Sequence, residues 1–296
     1  FIDIDDVSYN MSVSVLTDKL RYAEKQGCLP KVVIPVHLCG QSCDMEAIWE
    51  LSKIYGFSVI EDASHALGGS YKGQKVGSCT YSHMSVFSLH AVKMITSGEG
   101  GVISSNNGDL VEKTKKFGSH GITKSKGDFL EDSAALNSGW YYEQQFLGFN
   151  YRLTDFQCAL GMSQLKRLDD FVAKRNYLAD AYDEMLKGLK LRLPLQRNDC
   201  VSSRHLYVIR LNLNDLDISR NEVYSYMASL RIGVNLHYMP VYRQPFYKQN
   251  NQGFRFECPQ AEGYFSDAIT IPLHQEMRHE EQDYVIRALS EIIASN

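Results

Sequence analysis

An apolar run, Lys31-Val-Val-Ile-Pro-Val-His-Leu38, is followed one helix-length later by a second, Phe57-Ser-Val-Ile-Glu-Asp62, and this spacing constrains the fold more than any other feature of the chain. Antiparallel strands can be joined by a two-residue turn, whereas parallel strands need a crossover of a dozen residues or more, usually a helix. Between the runs Asp44 is placed to cap such a helix, with Ala47, Ile48, Leu51, Ile54 and Tyr55 facing inward and Gly56 as its stop. Strand, helix and strand in this order predict a βαβ unit of an open parallel sheet. The first run, nearly continuous in apolar residues, is expected to be buried on both faces.

In an open sheet of this kind ligands gather beyond the carboxyl ends of the strands. Asp62 ends the second run. A third run, Met84 to Leu89, delivers Ser88, His90 and Lys93, then Gly98, Gly100 and Gly101, which let the chain turn tightly before a strand over 101–104. Asp62 and Lys93 are therefore expected to meet in space. Lys93 stands among Ala91, Val92, Met94 and Ile95; apolar neighbours lower an amine's pKa, and only the neutral amine attacks a carbonyl. An ordinary solvated loop lysine fits the same spacing. Asp62 either caps the following turn or stays ionised against a heterocyclic nitrogen. A lysine able to form a Schiff base, an acid to keep a pyridinium protonated and a hydroxyl for a phosphate are together what pyridoxal 5′-phosphate (PLP) demands.

Elsewhere the patterning predicts a helix over 12–27, another over about 109–117, and a long loop over 118–151, poor in periodicity and rich in Gly, Ser, Tyr and charge. Thr154 answered by Gln157 is a capping box at the head of one long helix reaching Met185. The remainder reads as a smaller α+β unit, with strands at 205–211, 234–237 and 268–271 and helices near 220–230 and 280–293.

A formal net charge of −4 and a pI near 6.2, with no dense basic block, argue against a nucleic-acid partner. No apolar run is long enough to cross a bilayer. Seven scattered cysteines, an odd number, do not form a disulfide framework and suit a reducing cytoplasm. Cys39 and Cys43 lack a second ligand pair, so no metal is expected. The chain opens on Phe1-Ile-Asp-Ile-Asp without an initiator methionine, which reads as a fragment or a part of a longer polypeptide.

Four stretches, Glu61-Asp-Ala-Ser-His-Ala-Leu-Gly68, Phe87-Ser-Leu-His-Ala-Val-Lys-Met-Ile-Thr-Ser-Gly-Glu-Gly-Gly101, Ser119-His-Gly-Ile122 and Gly148-Phe-Asn-Tyr-Arg-Leu-Thr-Asp155, resemble in that order the DegT/DnrJ/EryC1/StrS family of sugar-nucleotide aminotransferases. The resemblance implies an α/β, fold-type I PLP-dependent transferase similar to aspartate aminotransferase. Its large PLP-binding domain, with a mixed, mostly parallel sheet, would span 1–165 and be incomplete at its N-terminus; an interdomain helix and a small C-terminal α+β domain would span 166–296. The implied activity is transfer of an amino group from L-glutamate to a keto group of a UDP-linked deoxysugar, by a cytoplasmic homodimer with shared active sites.

By the same resemblance Lys93 would hold PLP as a Schiff base and shuttle the proton between the donor Cα and the cofactor. Asp62 would pair with the pyridine nitrogen, His65 would sit by the 3-hydroxyl, and Ser88 would donate to the phosphate. Asn150 would reach the phosphate of the neighbouring subunit's cofactor, and Arg152, His237 and Tyr238 would contact substrate. Read as residues alone, His65 is equally a structural histidine, Asn150 loop polarity, Arg152 a partner of Asp155 and Tyr238 a core aromatic. Two departures stand out: the family's upstream Ser-Gly-Thr helix start and stacking aromatic are not in this sequence, and Ala91 replaces a proline. The rival readings are a non-catalytic relative acting as a binding or assembly subunit, and an aminotransferase for another nucleotide-keto-sugar.

Overall fold

The computed structural model describes residues 1–131, 138–250 and 257–295. Ser12 opens α1 (Val13–Lys25) by accepting the Val15 N–H. β1 (Val32–Val33) leads to α2 (Met45–Tyr55), which Asp44 caps at one end and Gly56, at φ 74°, ends at the other. β2 (Ser58–Asp62) follows and pairs parallel with β1, Val33 opposite Val59. The expected βαβ unit is present.

Among the described residues β1 nonetheless lies at the edge of the sheet, and the expectation of burial on both faces is not met. Val33, Pro35 and His37 are buried while Val32, Ile34 and Val36 are exposed, an alternation that follows because successive strand residues face opposite ways and the second face borders an apolar cavity. The start of the chain forms a single bridge, Ile4 with Met11.

β3 (Ser70–Tyr71) and β4 (Gln74–Lys75) form a hairpin joined by the distant β10 (Cys200–Val201), a small sheet that no periodicity announces. β5 (Met84–Ser88) pairs parallel with β2, and β6 (Gly101–Ser104) returns antiparallel along β5. The central sheet has the order β1-β2-β5-β6, mixed and mostly parallel. After α3 (Gly108–Gly118), the stretch expected to be a long loop carries a short antiparallel pair, β7 (Ile122–Thr123) with β8 (Glu143–Gln144). Residues 132–137 of that stretch lie outside the described residues.

Both halves of the Thr154–Gln157 capping box form at the head of α4 (Asp155–Leu165). The single long helix expected there is two, because Arg167 leaves the helical region (φ −102°, ψ 1°) before α5 (Leu168–Met185). The break has a packing reason: α4 buries none of its side chains, whereas α5 turns Leu168, Phe171, Val172, Leu178 and Tyr182 inward. An unbroken helix would carry the apolar stripe of one half away from the core.

The C-terminal part is built on β9 (Leu191–Arg192), β11 (Tyr207–Leu211) and β12 (Ala268–Ile271), antiparallel in the order β12-β11-β9. Around it run α6 (Arg220–Ser229), α7 (Pro245–Asn250), α8 (Pro259–Asp267) and α9 (His279–Ala294). The strand expected at 234–237 is reduced to one bridge, Asn235 with Thr270. Among the described residues no helix is long and apolar enough to cross a membrane.

The main core joins α5, β11, α6, β12 and α9 through Leu178, Tyr182, Tyr207, Ile209, Met227, Ile269 and Leu289; a second core under the central sheet gathers Leu16, Leu20, Ile48, Phe57 and Val59. Leu178 is wholly buried. Leu178→Ala is expected to cost about 2–5 kcal/mol through lost transfer free energy plus the cavity left behind. The check is urea unfolding, which should show a lower midpoint at an unchanged slope.

Candidate active site

Asp62 and the Lys93 loop leave the central sheet at one edge because β2 and β5 run parallel, with Asp62 opposite Val86. The main chain of Asp62 is held on both sides: its N–H donates to Pro35 O (2.9 Å), its carbonyl accepts the His37 N–H (3.0 Å), and the next residue, Ala63, donates to Val86 O (2.9 Å). Of the carboxylate, Oδ1 accepts the Ser64 N–H at 3.1 Å. The tight turn after it depends on Gly68, at φ 86°, where a Cβ would lie 2.7 Å from Val172 Cγ2.

Lys93 sits in the loop between β5 and β6, whose neck is closed by Leu89 N–H to Gly100 O (2.8 Å) and Ser97 N–H to Leu89 O (3.0 Å). Leu89, Met94 and Ile95 are buried against Leu168, Phe171 and Val172 of α5. These apolar anchors fix the loop on either side of Lys93 while its amine stays half-buried. Burial lowers the pKa of that amine, with the charge of Asp62 pulling the other way. Among the described residues no carboxylate pairs with Lys93 within 4.0 Å. The two groups thus share a field without closing on each other.

His65 is buried beside them. Its ring packs on that of His205 (centroids 4.5 Å apart), and its Nε2 lies 3.4 Å from the Tyr238 hydroxyl. Burial pushes His65 down to about 4, and the charge of Lys93 pushes the same way. His205 falls further, to about 2, from burial first and then from His65 and Lys93. Nδ1 of each ring is buried without a hydrogen-bond partner. A buried polar atom left unpaired costs free energy.

The wall opposite is delivered by the C-terminal part. Arg175, buried on α5, donates through Nη1 to the carbonyls of Arg204 (3.2 Å), His205 (3.1 Å) and Leu273 (2.9 Å). Ser203 Oγ donates to His65 O at 2.6 Å and the His205 N–H to Cys39 O at 2.9 Å. His237 Nδ1 lies 2.8 Å from Thr270 Oγ1, and burial, then Lys93, lowers its pKa.

Asp62, His65, Lys93, His237 and Tyr238 therefore gather in one place. Ser88 ends β5 at the base of the Lys93 loop, where its hydroxyl accepts the His90 N–H (3.3 Å) and keeps its own proton to donate. Asn150 and Arg152 lie on the exposed segment ahead of α4, linked to each other at 3.4 Å. Neither shares a described hydrogen bond or ion pair with Lys93, Asp62 or His65, and Arg152 turns to Asn150 instead of the alternative partner Asp155. His205 and Arg175 were not singled out as site residues from the sequence. The available signal was a histidine at the mouth of a fully buried strand, and an arginine within the apolar stripe of α5. An apolar cavity of about 560 Å³ bordered by Phe1, Met11, Leu20, Val32, Ile34 and Val36 contains none of these residues. Among the described residues no group of three potential metal ligands assembles.

The sequence pattern of the DegT/DnrJ/EryC1/StrS aminotransferase family matches residues 1–290. The UDP-4-amino-4,6-dideoxy-N-acetyl-beta-L-altrosamine transaminase of Campylobacter jejuni is 38% identical over 255 residues, covering 86% of this chain but only 63% of its own length. Helicobacter pylori PseC, an aminotransferase involved in the biosynthesis of pseudoaminic acid, superposes with a TM-score of 0.86 at 29% identity, over 100% of this chain and 74% of that one. A Streptococcus pneumoniae protein solved in its PLP form gives a TM-score of 0.81 at 27% identity, over 99% and 74%.

The two depressed imidazoles tie stability to pH. The unfolded chain takes up protons on His65 and His205 below about pH 6.5, while the folded chain does so only near 4 and 2. Stability that is present above pH 6.5 is therefore lost as the pH falls through this window, on the order of 3 kcal/mol per imidazole at pH 4. Urea unfolding followed against pH should show that slope, and His205→Phe should flatten it. An identical slope in the variant would refute the assignment.

Proposed function

The chain belongs to the DegT/DnrJ/EryC1/StrS aminotransferase family, and from that premise we propose that it binds PLP through Lys93 and transfers an amino group from L-glutamate to a UDP-linked keto-deoxysugar. The keto group we assign is C4 of UDP-2-acetamido-2,6-dideoxy-4-keto-L-arabino-hexose, because the transaminase relatives at 37–38% identity act in that chemistry by name. The observation that carries the reading is the convergence of Asp62, Lys93 and the buried, unpaired Nδ1 of His65 at one edge of the sheet.

When bound, PLP supplies an electron sink that stores the amino group between two half-reactions. The residues divide the remaining work. Lys93, its pKa lowered by burial, moves the proton at the donor Cα. The Asp62 carboxylate holds a proton on the ring nitrogen. His65, kept neutral by burial, presents a nitrogen to the 3-hydroxyl side, and Ser88 donates to the phosphate. Met94 and Ile95 exclude water from the inner side of Lys93. His237, Tyr238 and Arg152 are assigned to the sugar nucleotide. Asn150 is assigned to the partner subunit's site in a cytoplasmic homodimer, a role its exposed position allows. We divide the chain at 165/166 into a larger PLP-binding unit and a smaller C-terminal one; the break between α4 and α5 supports that boundary.

Borohydride reduction of the PLP-treated protein should attach a label to Lys93 and none in Lys93→Ala, whose turnover should fall on the order of 10³-fold. Incubation with L-glutamate and candidate UDP-keto-sugars, read by mass analysis, should yield an aminated sugar and 2-oxoglutarate with ping-pong kinetics. Mixing Lys93→Ala with Asn150→Ala chains should recover activity, since one site of each mixed dimer is intact. Protein that takes up no PLP would leave the binding-subunit reading.

A further inference from the structure

Behind Asp62, on the other face of β2, lies a second carboxylate that the aminotransferase chemistry leaves unused. Successive strand residues point to opposite faces, so Glu61 is aimed away from the Lys93 loop. It is 5% exposed. Oε2 accepts from His37 Nε2 at 2.7 Å, and Oε1 accepts from Ser85 Oγ at 2.6 Å and from Ser82 Oγ. Burial pushes the Glu61 carboxyl up; the contacts with His37, Ser82 and Ser85 outweigh it and hold the group below the usual carboxylate range.

His37 is wholly buried, and the Cys43 N–H lies 3.1 Å from its Nδ1. Burial lowers the pKa of the ring, but the Cys43 and Glu61 side chains outweigh it and raise it to about 10; the Cys43 N–H at Nδ1 opposes that pull, because a proton there would face a second N–H. An N–H can only donate, so Nδ1 is the acceptor, Nε2 carries the proton given to Glu61, and the imidazole is neutral. The charge at this point is a single ionised carboxylate held by three donors from two segments.

The same histidine also holds Asp62. Its own N–H donates to Asp62 O (3.0 Å), while its ring holds the preceding side chain. Ser85 lies opposite Glu61 in the β2–β5 ladder, on the strand that runs into the Lys93 loop. Three segments therefore meet at Glu61: the exit of β1, the end of β2 and the start of β5. A buried carboxylate is a costly way to fill a core, since removing any one donor leaves charge uncompensated.

We propose that Glu61 and His37 are positioning residues, which set the direction of the Asp62 carboxylate relative to Lys93 and so its contact with the bound cofactor. The inference rests on the PLP reading above. It differs from simple core support in predicting that their effect on cofactor binding passes through Asp62.

A double-substitution cycle on PLP affinity, measured by absorbance titration and by the PLP-induced rise in melting temperature, separates the two. His37→Gln should weaken PLP binding on the order of tenfold when Asp62 is present and by less than about twofold in the Asp62→Asn background, residues that act together being non-additive. Equal losses in both backgrounds, or no loss in either, would overturn the proposal. Should His37→Gln fail to fold, Ser85→Ala, which removes one of the three donors, carries the same cycle with a smaller coupling of the same sign. Unsubstituted protein that binds no PLP overturns the functional reading and this inference together, whereas tight binding with additive losses overturns this inference alone.

Discussion

Asp62 lies opposite Val86 in the parallel ladder between β2 and β5, and the rest of the site depends on that register. Parallel strands release their following loops at the same edge, so the carboxylate ending one strand and the loop carrying Lys93 after the next are brought together by backbone hydrogen bonds alone. A slip of one residue would turn Asp62 to the face now taken by Glu61. The Glu61 network opposes such a slip, because it would drag an ionised carboxylate away from all three of its donors.

The loop itself is held by apolar contact. Leu89 on one side, and Met94 and Ile95 on the other, are anchored on Leu168, Phe171 and Val172 of α5, which leaves the lysine between them half-buried with a lowered pKa. α5 also carries Arg175, whose guanidinium ties the carbonyls of Arg204, His205 and Leu273 to the helix. One helix thereby supports both walls of the site. This explains the break at Arg167: α5 must be free to set its buried face independently of α4.

The imidazole cluster follows from the same packing. His65 and His205 are pressed together with Lys93 and His237 nearby, and in such surroundings a charged ring is doubly disfavoured, by lost hydration and by like charge. Neutral rings, each with one buried nitrogen that has no hydrogen-bond partner, are the consequence.

Much of this was legible in the residues. The βαβ unit, the caps at Asp44 and Thr154, the final helix and the meeting of Asp62 with Lys93 all follow from period, capping chemistry and strand-end geometry, which are local. The edge position of β1, the hairpin pairing of β3 and β4 with β10, and the division of the 154–185 helix were not legible, because each depends on what packs against the segment from far along the chain. His205 belongs with these: residue order shows a histidine ahead of an apolar run. That Arg175 and Ser203 turn it onto His65 came from packing across the fold, since hydrogen bonds between segments remote in sequence leave no periodic trace in either one.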